Sequence, residues 1–354
     1  MKITVIRHSI RNRGGDRLVL DYLSFLVARG HEVVYWTNEV ATSFSIDPRI
    51  EIKHIPWPGA TGTICFAAVT KFSSDIVLVD LAVMALFAYL LNGKKVVYLA
   101  QDDDRAYYSS PVMKVLMGFV FRLVFSLFKV HVISVSEYLT AELGKYSCEK
   151  IETVCNGIDL GVFYRETTPH AQIEKTTPMA VVLYARSDFR KGLDIGIKAV
   201  EGLARRRGTR DWELWIIGND KAVINADGLK VKHWGFLKDD QLRSVFSAAD
   251  VYLMPSRHEG LSLLLLSALA CGCVVVATKA SNILTHNVDG LVSSVEDDNL
   301  LTENLASVME DKLLCQKLRQ NGYALAAHYS LKKSCNLFER ALRTWSGRAA
   351  CRFI

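Results

Sequence analysis

A chain of 354 residues is long for one domain and comfortable for two. Half of the residues are hydrophobic and 23% are charged, which excludes a disordered or fibrous protein. A net charge of +6 is compatible with phosphorylated ligands or an anionic membrane surface but does not call for a nucleic acid. The eight cysteines form no C-x-x-C pair and have no accompanying histidine pair, so they read as free thiols of a reducing compartment. The stretch Met1–Arg7 lacks the apolar core of a signal peptide, and a cytoplasmic protein is expected.

Ile3–Ile6 has the make-up of a first strand, and the polar stretch Arg7–Arg17 follows it as a loop. Apolar residues recur at helical spacing over Leu18–Arg29, Gly30 stops the helix, and Glu32–Trp36 reads as a second strand. Gly14 and Gly15 stand before that helix, where paired glycines let a phosphate or a sugar approach the backbone. The pattern is not the G-x-G-x-x-G dinucleotide fingerprint, and a plain tight loop is an equal reading. Further strands are expected at Ile50–Ile55, Ile76–Val79, Lys95–Ala100 and His131–Val135, with helices at Leu81–Leu91 and Ser110–Lys129. This alternation describes a doubly wound parallel sheet, whose ligands sit beyond the carboxyl ends of strands. Gln101 opens one such end and is followed by Asp102, Asp103 and Asp104. Alternating side chains keep three adjacent aspartates from meeting one ion, so a solvated loop is expected there and no metal is assigned.

Residues 113–130 are unusually apolar. On a helix, Lys114, Gly118, Arg122, Ser126 and Lys129 share a stripe about 120° wide. The charges make this a poor bilayer span. Two readings stay open: a basic helix lying in a membrane interface, or a buried helix with one wet edge.

Strand Ile151–Cys155 leads to the turn Asn156-Gly157-Ile158-Asp159. The polar, proline-bounded stretch 166–178 reads as a linker between a first domain (1–165) and a second (179–330). The second half repeats the first: strand Met179–Tyr184, a basic loop with Arg186 and Lys191, helix Leu193–Arg205, strand Glu213–Ile217 ending in Gly218-Asn219, and strand Val231–Trp234 before Gly235-Phe236. Helices are expected to close the chain, with residues 331–354 as a last one packing back on the first domain.

The densest stretch is Asp250–Thr278. An apolar strand, Val251–Met254, turns through Pro255–Gly260 into an apolar helix, Leu261–Ala270, and Val274–Ala277 forms another strand. The turn opens onto a helix N-terminus, whose unpaired N–H groups and dipole favour an anion, and Glu259 sits at that junction. With Arg186 and Lys191 on a neighbouring strand end, these features suit a diphosphate that must be held and stabilised as it leaves.

Several short motifs keep a common order. They are Arg186…Lys191-Gly192, Gly235-Phe236-Leu237, Ala249-Asp250 to Pro255-Ser256, Glu259-Gly260-Leu261-Ser262, Ala268-Leu269-Ala270-Cys271-Gly272 and Asp289-Gly290. The first half adds Gly14-Gly15-Asp16-Arg17, Arg29-Gly30-His31-Glu32-Val33 and Asn156-Gly157-Ile158-Asp159. Through them nearly the whole chain resembles the retaining family 4 glycosyltransferases (glycosyl transferases group 1). The resemblance implies a GT-B fold, an α/β architecture of two Rossmann-like domains facing each other across a cleft. It implies a nucleotide-diphosphate sugar donor and a glycan or lipid-linked acceptor in cell-surface polysaccharide synthesis, with no metal or other cofactor. Arg186 and Lys191 would grip the diphosphate, and the backbone of Gly260, Leu261, Ser262 and Leu263 would bind its distal phosphate. Glu259 would contact sugar hydroxyls, Gly14 and Gly15 would close on the diphosphate, and the base would lie near Gly218, Trp234, Gly235 and Phe236. If the membrane-interface reading of 113–130 holds, the enzyme would work at the inner face of the membrane and touch it through that helix.

Two positions depart from the family pattern. A second glutamate, eight residues after the first, is replaced by Ser267, an uncharged and shorter acceptor for the ribose hydroxyls. A histidine near the donor sugar is replaced by Gln101. Ser267 keeps open a binding protein without catalysis, and an epimerase or hydrolase on the same fold is a third reading.

Overall fold

The computed structural model describes residues 1–351 apart from 109, 148, 168–172, 174 and 219–221. Part of the 166–178 stretch, Asn219 and Cys148 therefore lie outside the described residues. The chain divides into two compact units, Met1–Asn156 with Lys332–Ile354, and Gly157–Leu331.

In the first unit the elements run β1 (Lys2–Ile6), β2 (Ser9–Arg11), α1 (Gly14–Ala28), β3 (Glu32–Thr37), β4 (Glu39–Ala41), β5 (Glu51–His54), α2 (Gly59–Val69), β6 (Ile76–Val79), α3 (Ala82–Asn92), β7 (Val96–Ala100), α4 (Pro111–Phe121), β8 (His131–Ser134), α5 (Glu137–Gly144) and β9 (Glu152–Thr153). Seven strands form a parallel sheet in the order β5-β3-β1-β6-β7-β8-β9, while β2 and β4 make a separate small ribbon. Ile76–Val79 and Val96–Ala100 are buried throughout, as central parallel strands covered on both faces must be. Right-handed crossovers that run outward in opposite directions from β1 place α1 on one face and α2 to α5 on the other.

Helix α1 begins four residues before Leu18, so Gly14 and Gly15 form its first turn rather than the loop ahead of it. Helix α2 falls in a stretch to which the sequence pattern assigns no element. Its glycines, threonines and β-branched residues are weak helix formers, and packing of Phe66 on Trp36, Trp57 and Phe72 holds it instead. The expected helix over 110–129 stops being α-helical at Phe121, and a π turn continues through Arg122–Leu127. Met117, Phe121, Val124 and Phe125 are its buried side. Asp104, expected on a solvated loop, is buried and accepts the Ala82 N–H at 2.7 Å. Asp103 turns the other way, to Arg105 at 2.6 Å.

The second unit contains β10 (Met179–Tyr184), α6 (Leu193–Arg207), β11 (Trp212–Ile217), β12 (Lys230–Gly235), α7 (Asp239–Ala248), β13 (Val251–Met254), α8 (Leu263–Ala270), β14 (Val274–Thr278), β15 (Leu291–Ser293), α9 (Asp298–Glu310) and α10 (Lys312–His328). Its six strands are all parallel, in the order β12-β11-β10-β13-β14-β15. One hydrophobic core runs through Val181, Leu183, Leu214, Leu253, Val276 and the inner faces of α6 and α9. The last helix, α11 (Leu331–Cys351), belongs to the first unit from Lys332 onward. There Phe338 stacks on Tyr22 at 4.4 Å, Trp345 stacks on His131 at 4.3 Å, and Glu339 meets His31 at 2.9 Å. Among the described residues no helix is long and apolar enough to cross a membrane.

Candidate active site

The carboxyl ends of β10, β11, β12 and β13 are neighbours in the second sheet, and most of the singled-out residues follow them directly. Past β10, a single 3₁₀ turn spans Phe189–Lys191. Asp188 caps it, accepting from the Arg190 backbone N–H at 3.1 Å and pairing with the Arg190 guanidinium at 2.6 Å. Burial would raise the Asp188 carboxyl, but its bonds to Arg190 and the nearby Arg186 hold it below the usual range. Arg186 reaches Asp188 only at 3.7 Å and is partly open to solvent.

Past β13, the turn Pro255–Glu259 lies directly against that loop. The N–H groups of Arg257 and His258 both donate to the Arg190 carbonyl, at 2.7 and 3.2 Å. The Arg257 side chain is buried and works as a clamp. It donates to Asp194 at 2.8 and 2.7 Å, to Glu296 at 3.0 Å and to the Phe189 carbonyl at 3.0 Å, and its guanidinium lies 4.0 Å from the Phe189 ring centre. Gly192 sits where the two loops touch, with a left-handed φ of 62°. A Cβ there would lie 2.0 Å from the Pro255 carbonyl oxygen, so only glycine fits.

This stitching brings Lys191 to Glu259. The Lys191 ammonium lies 2.8 Å from both carboxylate oxygens, and Ser256 Oγ donates to Oε1 at 2.7 Å. The Glu259 side chain is buried, and its carbonyl accepts from Asn282 Nδ2 at 2.7 Å. Helix α8 begins at Leu263, two residues later than expected, so Gly260 and Leu261 belong to the loop and Ser262 is the cap, accepting the Leu265 N–H at 3.3 Å. Tyr184, Lys191, Pro255, Ser256, Glu259 and Ser262 line a small hollow of about 20 Å³. Burial, and then the Glu259 charge, pushes the Tyr252 hydroxyl beneath this site far above its ordinary range.

The other second-unit residues divide. Gly218 and Gly235 come together: the Gly218 N–H donates to the Gly235 carbonyl at 2.8 Å, and the Gly218 φ of 103° brings its backbone against the Ala185 carbonyl. Trp234 packs against Trp215 at 5.6 Å, and its buried Nε1 has no partner. Phe236 is exposed beside them. Ser267 does not join this group. It is buried, and its hydroxyl donates back to the Leu263 carbonyl at 2.9 Å within its own helix.

In the first unit, Gly15 and Gln101 are brought into contact. A Cβ on Gly15 would fall 2.0 Å from Gln101 Oε1, and Gln101 Nε2 is buried without a partner. Gly14 precedes them as the first residue of α1. Beneath lies a group the sequence reading passed over. Arg7, immediately after β1, pairs with Asp80, immediately after β6, at 2.6 Å and with Asp16 at 2.9 Å. Burial opposes the Arg7 charge, but Asp80, Tyr35 and Asp16 more than offset that and raise its pKa. The missed signal is a charged residue directly after an apolar strand, as Arg7 is after β1 and Asp80 after β6.

Two family profiles match the chain: "Glycosyltransferase Family 4" over residues 12–162 and "Glycosyl transferases group 1" over residues 179–311. Between them they take in most of the sequence, and the chain belongs to these glycosyltransferases. Its architecture is the GT-B fold. Sucrose-phosphate synthase from Thermosynechococcus elongatus superposes with a TM-score of 0.81 over 97% of this chain and 98% of its own, at 17% identity. Anabaena HepE, solved with UDP and glucose, gives 0.74 over 97% and 100%, also at 17% identity. Among curated relatives, a D-inositol 3-phosphate glycosyltransferase of Arthrobacter is 29% identical over 42% of this chain and 38% of its own length. A putative colanic acid biosynthesis glycosyltransferase of Escherichia coli is 28% identical over 51% and 45%. The matched stretches thus span less than half of either relative.

Proposed function

We propose that the protein is a retaining glycosyltransferase that moves a hexose from a nucleotide-diphosphate donor to a glycan or lipid-linked acceptor in cell-surface polysaccharide synthesis. The observation that carries this reading is the pairing of half-buried Lys191 with buried Glu259, held at 2.8 Å beside a helix N-terminus. A diphosphate arriving there competes for the Lys191 ammonium and gains Arg186 as a second cation. Glu259, relieved of part of its partner's charge, turns its acceptor oxygens to the sugar hydroxyls. The cations and the first-turn N–H groups of α8 then stabilise charge on the leaving diphosphate as the glycosidic bond breaks. In a same-face displacement that leaving group takes the acceptor proton, so no separate base is required. The nucleobase is assigned to Trp234, Gly235, Phe236 and Gly218.

The HepE complex with UDP and glucose supports the donor class, and the colanic acid relative supports the acceptor class. A lipid-linked acceptor places the enzyme at the inner face of a membrane. Ser267 favours one second reading, a nucleotide-binding protein with weak or no turnover, since losing a charged hydrogen bond to ribose costs ~1.5–3 kcal/mol. Thermal-shift titration with UDP, GDP and dTDP, followed by donor turnover, separates the two. Stabilisation by one nucleotide, weakened in Lys191→Ala, with transfer lost in Glu259→Gln, supports the enzyme. Stabilisation without transfer to any glycan supports the binder. No stabilisation at millimolar nucleotide removes both.

A further inference from the structure

Strand β9 is the outermost strand of the first sheet, and α11 passes beside it. The Ser334 hydroxyl fastens α11 to the Cys155 carbonyl, and beyond that contact a hollow of about 200 Å³ opens between the two segments. Leu337, Arg340, Ala341 and Thr344 line it from α11, where spacings of three and four residues put them on one side of the helix within about 100° of arc. Glu152, Thr153 and Val154 line it from the sheet edge. The hollow beside Glu259 holds only about 20 Å³. Drug-sized sites run to about 300–1,000 Å³, so an occupant here is a small metabolite. Both walls belong to the first unit, and none of these residues takes part in the transfer site.

The polar groups of the hollow are not spent on one another. Arg340 and Glu152 carry opposite charges, yet neither side chain makes an ion pair or hydrogen bond among the described residues. The Val154 and Asn156 N–H groups donate to the Ser134 and Val135 carbonyls. Alternation along the strand therefore turns the Thr153 N–H and carbonyl the other way, to the open edge. The Thr153 hydroxyl meets Thr140 at 2.7 Å, so Thr153 lends the hollow its main chain. The Thr344 hydroxyl donates to the Arg340 carbonyl at 2.9 Å, which leaves it an acceptor toward the hollow. Acceptors thus come from Glu152, Thr153 and Thr344, and positive charge from Arg340 alone. Val154, Leu337 and Ala341 add an apolar floor. Charges outside the lining are mixed. Glu149 and Lys150 precede β9, Glu137 and Lys333 both lie near Cys155, and Glu339 is buried and paired with Arg29, His31 and Arg343. Arg340 and Glu152, rather than a surrounding field, decide what the hollow accepts.

We propose that this hollow is a second ligand site and that it takes a sugar monophosphate. The phosphate pairs with the Arg340 guanidinium, and hydroxyls spread around the ring donate to Glu152, the Thr153 carbonyl and Thr344. The apolar floor meets the C–H face of the ring. An α-amino acid answers Arg340 and Glu152 but brings its donors to one point. Inorganic phosphate offers nothing to the floor. The site is separate from the donor site and stands whether or not the second unit transfers sugar.

The test is isothermal titration of the full chain with the 1- and 6-phosphates of glucose, mannose and galactose, with glucose, inorganic phosphate and glutamate alongside. At least one hexose phosphate should bind about ten-fold or more tightly than each of those three. Arg340→Ala should weaken that binding about ten-fold or more, as loss of a charge-assisted pair does, and Arg340→Lys should weaken it less. Glu152→Gln and Thr344→Val should each weaken it about five-fold. Arg340 and Thr344 are exposed and Glu152 is half-buried, so thermal unfolding without ligand should not move in these variants. Lys191→Ala should bind the hexose phosphate like the wild type, which separates this site from the diphosphate site. No binding by any of the hexose phosphates would overturn the proposal. So would inorganic phosphate or glutamate binding as tightly, or binding that Lys191→Ala abolishes and Arg340→Ala leaves intact.

Discussion

Replacing Gly192 by alanine tests how the site is held together. The backbone at Gly192 is left-handed, which costs an alanine ~1–2 kcal/mol. Its Cβ would also stand 2.0 Å from the Pro255 carbonyl oxygen, a main-chain atom on the end of β13 that no rotamer change can move. One loop must retreat, and the bonds from Arg257 and His258 to the Arg190 carbonyl at 2.7 and 3.2 Å stretch with it. A destabilisation of ~2–4 kcal/mol follows, which for a domain of this size lowers Tm by roughly 4–16 °C. The larger consequence concerns Lys191, the adjacent residue. A displacement near 1 Å separates its ammonium from Glu259, and such misplacement costs on the order of 10²-fold in rate. Scanning calorimetry and donor turnover at a temperature where both proteins are folded measure the two effects. An alanine variant with wild-type Tm and turnover would show that the contact between the loops does not position Lys191.

The buried Trp234 Nε1 lacks a partner, so Trp234→Phe should leave or raise thermal stability while weakening nucleotide binding by ~0.5–1.5 kcal/mol, read by isothermal titration. Loss of stability with unchanged affinity would mean the indole serves only packing. Burial first, and then Asp80, push the Asp104 carboxyl up to about 8, so at neutral pH the folded chain keeps a proton that the unfolded chain releases near its ordinary 3.8. Stability is therefore lost as pH rises between those values, and the advantage of Asp104→Asn should grow from pH 5 to pH 8 in urea unfolding. Phe338→Ala removes a fully buried ring stacked on Tyr22 and should cost the first unit ~3–5 kcal/mol, with α11 becoming protease-sensitive first.

Much of the fold was legible because buried parallel strands are short apolar runs and the helices between them keep a clear period. Val251–Met254 and Met179–Tyr184 have the bounds expected of them. Local pattern failed where long-range packing decides. Helix α2 has poor helical propensity and forms against Trp36 and Trp57. In the helix over 110–129 a uniform period hides the π turn, and apolar composition alone could not separate the core-facing Met117 and Phe121 from the outward Val115 and Phe119. The Glu259 junction was legible as a turn before an apolar helix. The role of Arg257 was not, since its partners Asp194 and Glu296 lie 63 and 39 residues away.

The position at Ser267 ties these strands of evidence together. In sequence it is a short polar residue one helical face on from Glu259, which leaves open whether its hydroxyl stands in for a carboxylate. In the structure its proton goes to the Leu263 carbonyl and its side chain is buried, so it stabilises α8 locally and presents no charge. Glu259 is therefore the one acid of the motif, and it is held by three elements at once: Lys191 from the β10 loop, Ser256 from its own turn and Asn282 after β14. Under the proposed function, a site reduced to one carboxylate but braced this firmly would keep what holds the diphosphate and sugar while giving up affinity for the ribose. On that physical basis the shortfall belongs in the Michaelis constant for the donor and in nucleotide affinity rather than in the turnover number. Ser267→Glu should tighten nucleotide binding by about ten-fold or more with little change in maximal rate, and a rise in turnover number without a change in affinity would contradict this division of labour.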